Sequence, residues 1–417
     1  MHVKLGALTM KRSFCALQLA SCACLLWFSA TARAQPYLKL DRVVMLMRHG
    51  IRPPTDAQPI PVKYSRMAWP AWSVAPGLLT PHGAKGIALL AAADRSYFID
   101  ARLLPAAGCP APGQITVRAS KVPRAVETAE AWSRNLLPGC NVTVQRPSPG
   151  APDLLFHILD SDPPWFDGRR AYQDALAQPP SGGLAAQAKV LARQMRRMAT
   201  VLGCSQPRCD LQTDVSTLVE QPHDRPKFKG PLDAASTASE TFLLEYLDGK
   251  PMAEVGWGQV SRRKIEQLLI FNVTKFRYVD RPSYIAKAAA GPLARTILQQ
   301  LQSASAARIT LLAGHDTNIA DLGGLLGLHW GVPTYLPDDV PPGSALGFEL
   351  LSDSKGHQFV RAFFRSQTMD QLRNLEAPSS ANQPYRQYLR IRGCDNGKSA
   401  VTCALPAFTR LVEARLR

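Results

Sequence analysis

Acidic residues are missing from the first 34 positions, where Lys4, Lys11, Arg12 and Arg33 supply only positive charge. The one long apolar run of the chain, positions 15–30, lies in the same stretch and is followed by Ala32-Arg33-Ala34. That layout reads as a secretory signal peptide over 1–34; the core is too short and wrongly flanked for a spanning helix. Met10, directly before Lys11-Arg12, is an alternative start. Leu19-Ala20-Ser21-Cys22 is a rival lipoprotein processing site, although apolar sequence continues past Cys22. No later segment is apolar long enough to cross a bilayer, so a periplasmic or secreted chain without a membrane anchor is expected.

Charge is scarce as well. Only 19% of the 417 residues are charged against 46% hydrophobic, which excludes intrinsic disorder and leaves ample material for a buried core. The 28 glycines and 34 prolines follow no period, excluding collagen and simple repeat arrays. Lys and Arg outnumber Asp and Glu by 49 to 32, yet no run of five or more basic residues occurs. Scattered charge weighs against the alternative of a non-catalytic, anion-binding exported protein, and no nucleic-acid partner is expected. Arg193, Arg196 and Arg197 lie off a helical apolar face and read as solvated.

Clustered metal ligands are also absent: no His–Cys group has zinc spacing, and no metal is expected. Three cysteines leave with the leader. Six remain, Cys109, Cys140, Cys204, Cys209, Cys394 and Cys403, an even number suited to disulfides in an oxidising compartment. They fall into three local groups, suggesting 109–140, 204–209 and 394–403, among fifteen pairings that sequence alone allows.

What is present begins with strands. Residues 41–47 (DRVVMLM), 114–119 (QITVRA) and 308–313 (RITLLA) are short apolar runs of the buried-strand type. Thr80-Pro81 opens a helix to about 97, and Pro123 another to about 137. Residues 147–181 look irregular, 183–202 helical with Val190, Leu191, Met195, Met198 and Leu202 on one face. Helical patterns follow over 233–246, 262–285 and 292–301, then late strands over 346–351 and 358–364. Strands alternating with helices at both ends predict an α/β fold: a mixed sheet flanked by helices, 35–156 and 286–417, interrupted by a mainly helical insertion, 157–285.

Each of the three strands ends in polar residues: Arg48-His49-Gly50-Ile51-Arg52, the loop 120–124, and His315-Asp316-Thr317-Asn318. Ligands bind outside the carboxyl ends of strands in open α/β sheets, so these loops would bring three arginines, two histidines and an aspartate into one cleft. That set suits a dianionic phosphate, since guanidinium forks match its oxygens. A histidine flanked by Arg48 and Arg52 should have a depressed pKa and stay neutral. Arg124, in the first turn of its helix, opposes the macrodipole unless an anion binds there. Asp316 reads as a helix N-cap, a general acid, or both. Gly50 suits a tight turn or a close backbone approach.

Arg48-His49-Gly50-Ile51-Arg52-Pro53-Pro54 matches the RHGxRxP signature of the histidine acid phosphatases, and His315-Asp316, more than 260 positions later, matches their HD signature. The chain resembles that family over essentially its whole exported length. AWPAWSVAPGLLTPHG, GCPAPGQITV, GHDTNIADLGG and PPGSALGFEL further resemble its bacterial periplasmic phytases and glucose-1-phosphatases. The three local cysteine pairs are similar to bridges of that subgroup, while a fourth, longer-range bridge of some relatives has no cysteines here. The resemblance implies an acid phosphatase that hydrolyses phosphate monoesters without cofactor or metal, acting as a monomer. It implies His49 as the nucleophile forming a phosphohistidine, Asp316 as the acid, and Arg48, Arg52, Arg124 and His315 as phosphate ligands. The alternative within the superfamily is a mutase or phosphotransferase, against which export and the HD pair argue.

At the cleft rim, Thr55 and Thr317 match phytase-like relatives, and Glu240 aligns with a substrate-pocket glutamate of theirs. Asp56 stands where those phytases often carry lysine, which should weaken binding of a polyphosphorylated ring. Asn141-Val142-Thr143 and Asn272-Val273-Thr274 are glycosylation sequons without weight in an unspecified host.

Overall fold

The computed structural model describes residues 38–204, 210–394 and 401–417. The expected leader and Cys209 lie outside them.

The apolar run after the leader forms β1 (Lys39–Arg48), whose last six residues are all buried. Its alternate side chains serve two cores. Val44 and Leu46 enter one, and Val43, Met45 and Met47 enter the other, so both faces of the strand are covered. Thr80 then caps α1 (Pro81–Asp100) by accepting from the Gly83 amide, with proline at the first helical position as expected. β2 (Ile115–Ala119), α2 (Pro123–Leu136) and the short β3 (Val144–Gln145) follow. α1 and α2 cover one face of the sheet through Ile87, Ala91, Phe98, Val126, Ala129 and Trp132.

Beyond β3 come α3 (Gly168–Leu176), α4 (Gly183–Val190), α5 (Ala192–Val201) and α6 (Asp210–Thr213). An antiparallel pair, β4 (Thr217–Val219) and β5 (Lys227–Lys229), precedes α7 (Pro231–Leu247), α8 (Arg262–Leu268) and α9 (Ile270–Val279). Two expectations fail here. α3, capped by Asp167, occupies part of the stretch read as irregular. The helix read over 183–202 is two helices, because buried Leu191 leaves helical geometry at φ −92°, ψ 6°. The turn rotates the apolar face, and Val190, expected on it, is exposed.

The chain returns through α10 (Ser283–Gln302), which passes unbroken through Pro292, where the pattern suggested a new helix. β6 (Ile309–Gly314), α11 (Asp316–Leu326), β7 (Ala345–Ser352) and β8 (Gln358–Ser366) complete the centre of the sheet. α12 (Met369–Arg373), β9 (Tyr385–Leu389), β10 (Thr402–Ala404) and α13 (Leu405–Leu416) finish the chain. The eight-stranded sheet runs β10-β8-β7-β1-β6-β2-β3, with β9 also paired to β8. β1, β6, β2 and β3 are parallel, and β7 to β10 add antiparallel pairings. The mixed α/β class expected from the sequence is the class observed. β7 and β8, the two late strands read from the sequence, pair as an antiparallel hairpin, and β7 lies inside the sheet between β8 and β1.

Cys109–Cys140 and Cys394–Cys403 are disulfides. The third expected pair involves Cys209 and so falls outside the described residues. Among those residues no helix is long and apolar enough to cross a membrane.

Candidate active site

Three neighbouring parallel strands put the three polar loops side by side. In register, Arg48 of β1 lies opposite Gly314 of β6, and Ala119 of β2 opposite Ala313. The ladder continues one residue past each strand end: the His49 amide donates to Gly314 O at 3.0 Å and the Ser120 amide to Ala313 O at 2.9 Å. Gly50 serves close packing. A Cβ there would sit 2.8 Å from Leu79 Cδ1, and its amide donates to Thr128 Oγ1 at 3.0 Å.

Arg48 is fully buried. Its guanidinium donates to Val340 O and to Glu240 Oε1, and its Nη2 lies 3.1 Å from Asp316 Oδ2. Burial alone would lower its pKa, but Asp316 and Glu240 more than reverse this and hold it above the ordinary arginine value. Arg52 donates to Pro53 O at 2.9 Å. Arg124, in the first turn of α2, is partly buried, and burial together with Arg52 draws its pKa down to about 10. The Nε donors of Arg48, Arg52 and Arg124 are all buried without a hydrogen-bond partner. Arg48 and Arg52 both act on the charge of Arg124, so the three guanidiniums share one neighbourhood, and such a cluster of cations suits an anion.

His49 is also buried, with Nδ1 2.8 Å from Gly50 O. A carbonyl can only accept, so Nδ1 carries the proton and Nε2 keeps a free lone pair. Burial first, then Arg52 and Arg124, push the His49 pKa well below its usual value, as its flanking arginines led one to expect. The His315 ring stands 5.4 Å from that of His49, nearly perpendicular to it, and burial and Arg124 lower its pKa too.

Asp316 is placed differently from the N-cap expectation. His315 is the N-cap of α11, because the Asn318 side chain accepts from the His315 amide at 3.0 Å, and Asp316 is the first helical residue. Its Oδ1 accepts from the Thr317 amide at 2.9 Å. Burial would raise the Asp316 pKa, but Arg48 and Arg52 outweigh it and hold the carboxyl below its usual range.

Two further side chains were not foreseen. His157 Nε2 lies 3.1 Å from Ser120 Oγ, which lies 3.3 Å from His315 Nε2, and His157 Nδ1 is 3.1 Å from Asp160 Oδ2. The Asp160 carboxylate can only accept, so His157 donates to it through Nδ1, and the Ser120 hydroxyl links His157 to His315. His157 falls in the proline-rich stretch read as irregular, where no local pattern marks it.

Of the phosphate-binding candidates, Arg52 borders a cleft of about 350 Å³. Arg52, Thr55, Asp56, Glu240, Asp316 and Thr317 line it, with Thr55 and Asp56 exposed at the rim. Every substrate-side residue named from the sequence thus borders one cleft. Glu240 pairs with buried Arg48. Ser236, Asn272, Lys275, Arg225 and Asp280 also line it, and no local pattern marks any of them for this cleft. Arg225 bridges two buried carboxylates, Asp280 and Asp321, in the cleft wall. Among the described residues no group of three or more His, Cys, Asp or Glu side chains could hold a metal ion.

A parallel-strand edge carrying a neutral histidine, three arginines and an HD pair defines a class. The family model of the histidine phosphatase superfamily (branch 2) matches residues 39–172 and 231–365, and the chain belongs to that family. Among named proteins it is similar to phytase AppA of Escherichia coli, at 32% identity over 93% of this chain and 95% of that protein. It is also similar to the glucose-1-phosphatase of Salmonella typhimurium, at 28% identity over 92% and 95%. Among solved structures, Hafnia alvei phytase in complex with tartrate superposes with a TM-score of 0.85 at 30% identity, covering 92% of this chain and 98% of that one.

Proposed function

We propose that this protein is a histidine acid phosphatase that hydrolyses phosphate monoesters through a phosphohistidine intermediate. The observation that carries the reading is buried His49, with Nε2 free, in the combined field of Arg48, Arg52 and Arg124, where Arg48 also meets Asp316.

In the first step His49 Nε2 attacks phosphorus, the ester P–O bond breaks, and Asp316 gives its proton to the departing alkoxide. Arg48, Arg52, Arg124 and His315 hold the three non-reacting oxygens and stabilise their charge in the transition state. In the second step Asp316 takes a proton from water, the P–N bond breaks, and inorganic phosphate leaves. Asp316 must start protonated, whereas Arg48 and Arg52 favour its ionised form. A bound phosphate dianion faces the same guanidiniums, offsets their field and raises the Asp316 pKa. His49 stays neutral well below pH 6.5, so attack remains possible in acid.

Phytate and glucose 1-phosphate, named by the relatives, are the first substrates to compare; Asp56 at the rim disfavours a second phosphate there. The reading includes export through the 1–34 leader and work as a periplasmic or secreted monomer. It also divides the chain into an α/β phosphatase part (35–156 and 286–417) and a helical insertion (157–285). The test is hydrolysis of an aryl phosphate at acidic pH in the presence of a chelator. Activity is expected in the wild type and lost in His49→Ala; a fully active variant would remove His49 from the role.

A further inference from the structure

Beside the charged cleft lies a second hollow of different chemistry. It measures about 270 Å³, and Pro54, Trp69, Pro70, Trp72, Val74 and Pro76 supply much of its wall. Pro54, Asp56 and Thr241 border both hollows, so the two are adjacent. No cation lines the second one, and its sole charged residue is Asp56, whereas Arg52, Arg225 and Lys275 line the first. A second phosphate is therefore repelled, and a flat apolar group is welcomed by indole and proline faces.

The two tryptophans are held in place. Trp69 stands with its ring centroid 4.7 Å from Trp257 and 5.9 Å from Phe242, and the Trp257 indole donates to Ala68 O at 2.7 Å. The Lys250 ammonium sits 4.6 Å from the Trp72 ring centre. Trp257 itself adopts a left-handed backbone, φ 54°, which bulky residues rarely do. Such a conformation persists where surrounding structure imposes it, and here the residue it fixes backs the hollow.

We propose that this hollow is a leaving-group subsite, which takes the uncharged aromatic or apolar ring of a phosphate monoester while the phosphoryl group lies among the arginines. The assignment rests on the phosphatase reading above and narrows it: the favoured substrates carry one phosphate and a flat, uncharged alcohol. Trp72 is then a specificity-determining residue.

The experiment uses phosphonates, which bind without being cleaved. Inhibition constants for methylphosphonate and benzylphosphonate are measured against hydrolysis of an aryl phosphate, in the wild-type enzyme and in Trp72→Ala and Trp72→Phe. The expected ratio, methyl over benzyl, is about ten or more in the wild type, falls toward one in Trp72→Ala and recovers in Trp72→Phe. A ratio near one in the wild type, or one unchanged by Trp72→Ala, overturns the subsite. A thermal melt of each variant separates this outcome from misfolding. Absence of hydrolysis in the wild type is a different failure, that of the phosphatase reading itself.

Discussion

Arg48 Nη2 lies 3.1 Å from Asp316 Oδ2, so the carboxyl proposed to release a proton rests against a guanidinium that favours its ionised form. The same guanidinium holds Glu240, and both contacts come from a side chain with no solvent exposure. In the proposed mechanism phosphate competes for this arginine, which would couple the protonation of Asp316 to the presence of substrate.

Asp316→Asn is accordingly expected to spare esters whose leaving group departs as a stable anion. For an alkyl phosphate kcat/KM should fall about 10²–10⁴-fold, the usual worth of a positioned acid, and for an aryl phosphate far less. Equal losses on the two substrates would mean that Asp316 acts on the phosphoryl group or the fold instead.

Asp339 lies in the same buried neighbourhood, with Oδ1 accepting from the Val340 amide and Oδ2 lacking a partner. Burial, then Glu240, raises its pKa to about 7. Between roughly pH 4 and 7 it is protonated in the fold and ionised in the unfolded chain, so its contribution to stability declines as pH rises through that window. Asp339→Asn should remove this decline, leaving stability near wild type at pH 4 and higher by on the order of 3 kcal/mol at pH 8. Urea unfolding at the two pH values gives the answer; identical shifts at both would show that Asp339 does not titrate between them.

Arg225 separates two carboxylates that water scarcely reaches. Replacing it by methionine leaves Asp280 and Asp321 facing each other unpaired, at a cost of about 3–5 kcal/mol. Burial already raises both carboxyl pKa values, so protonation in acid should relieve part of that cost. The melting temperature of Arg225→Met is expected to drop more at pH 8 than at pH 5, and a deficit independent of pH would count against this account.

Asp56→Lys reverses charge at the exposed rim. KM for phytate should fall about three- to tenfold at low ionic strength, with the gain shrinking in salt because the position is solvated. An unchanged KM would place the second phosphate of a polyphosphorylated substrate elsewhere.

The features legible in the sequence were those with local causes. DRVVMLM declares a strand covered on both faces, and Thr80-Pro81 announces a helix start, since each signal acts within a few residues. RHGIRPP and HD were visible for the same reason, and strand adjacency alone brings them together. Local rules failed where distant packing decided. Leu191 breaks a helix to bury itself, Pro292 is carried inside one, and Asn318 moves the cap of α11 to His315. His157 and Arg225 were invisible because their meaning depends on Ser120 and Asp321, partners that lie far off in the chain.

The pairing of Arg48 with Gly314 has a consequence for how this enzyme comes into being. A ribosome delivers His49 long before Asp316, and the strand that stands between β1 and β2 is β6, residues Ile309–Gly314. Until β6 slots between β1 and β2, there is no edge on which the three loops can gather. Hydrolytic capacity is thus acquired all at once and late, after just over three quarters of the 417-residue chain has been made.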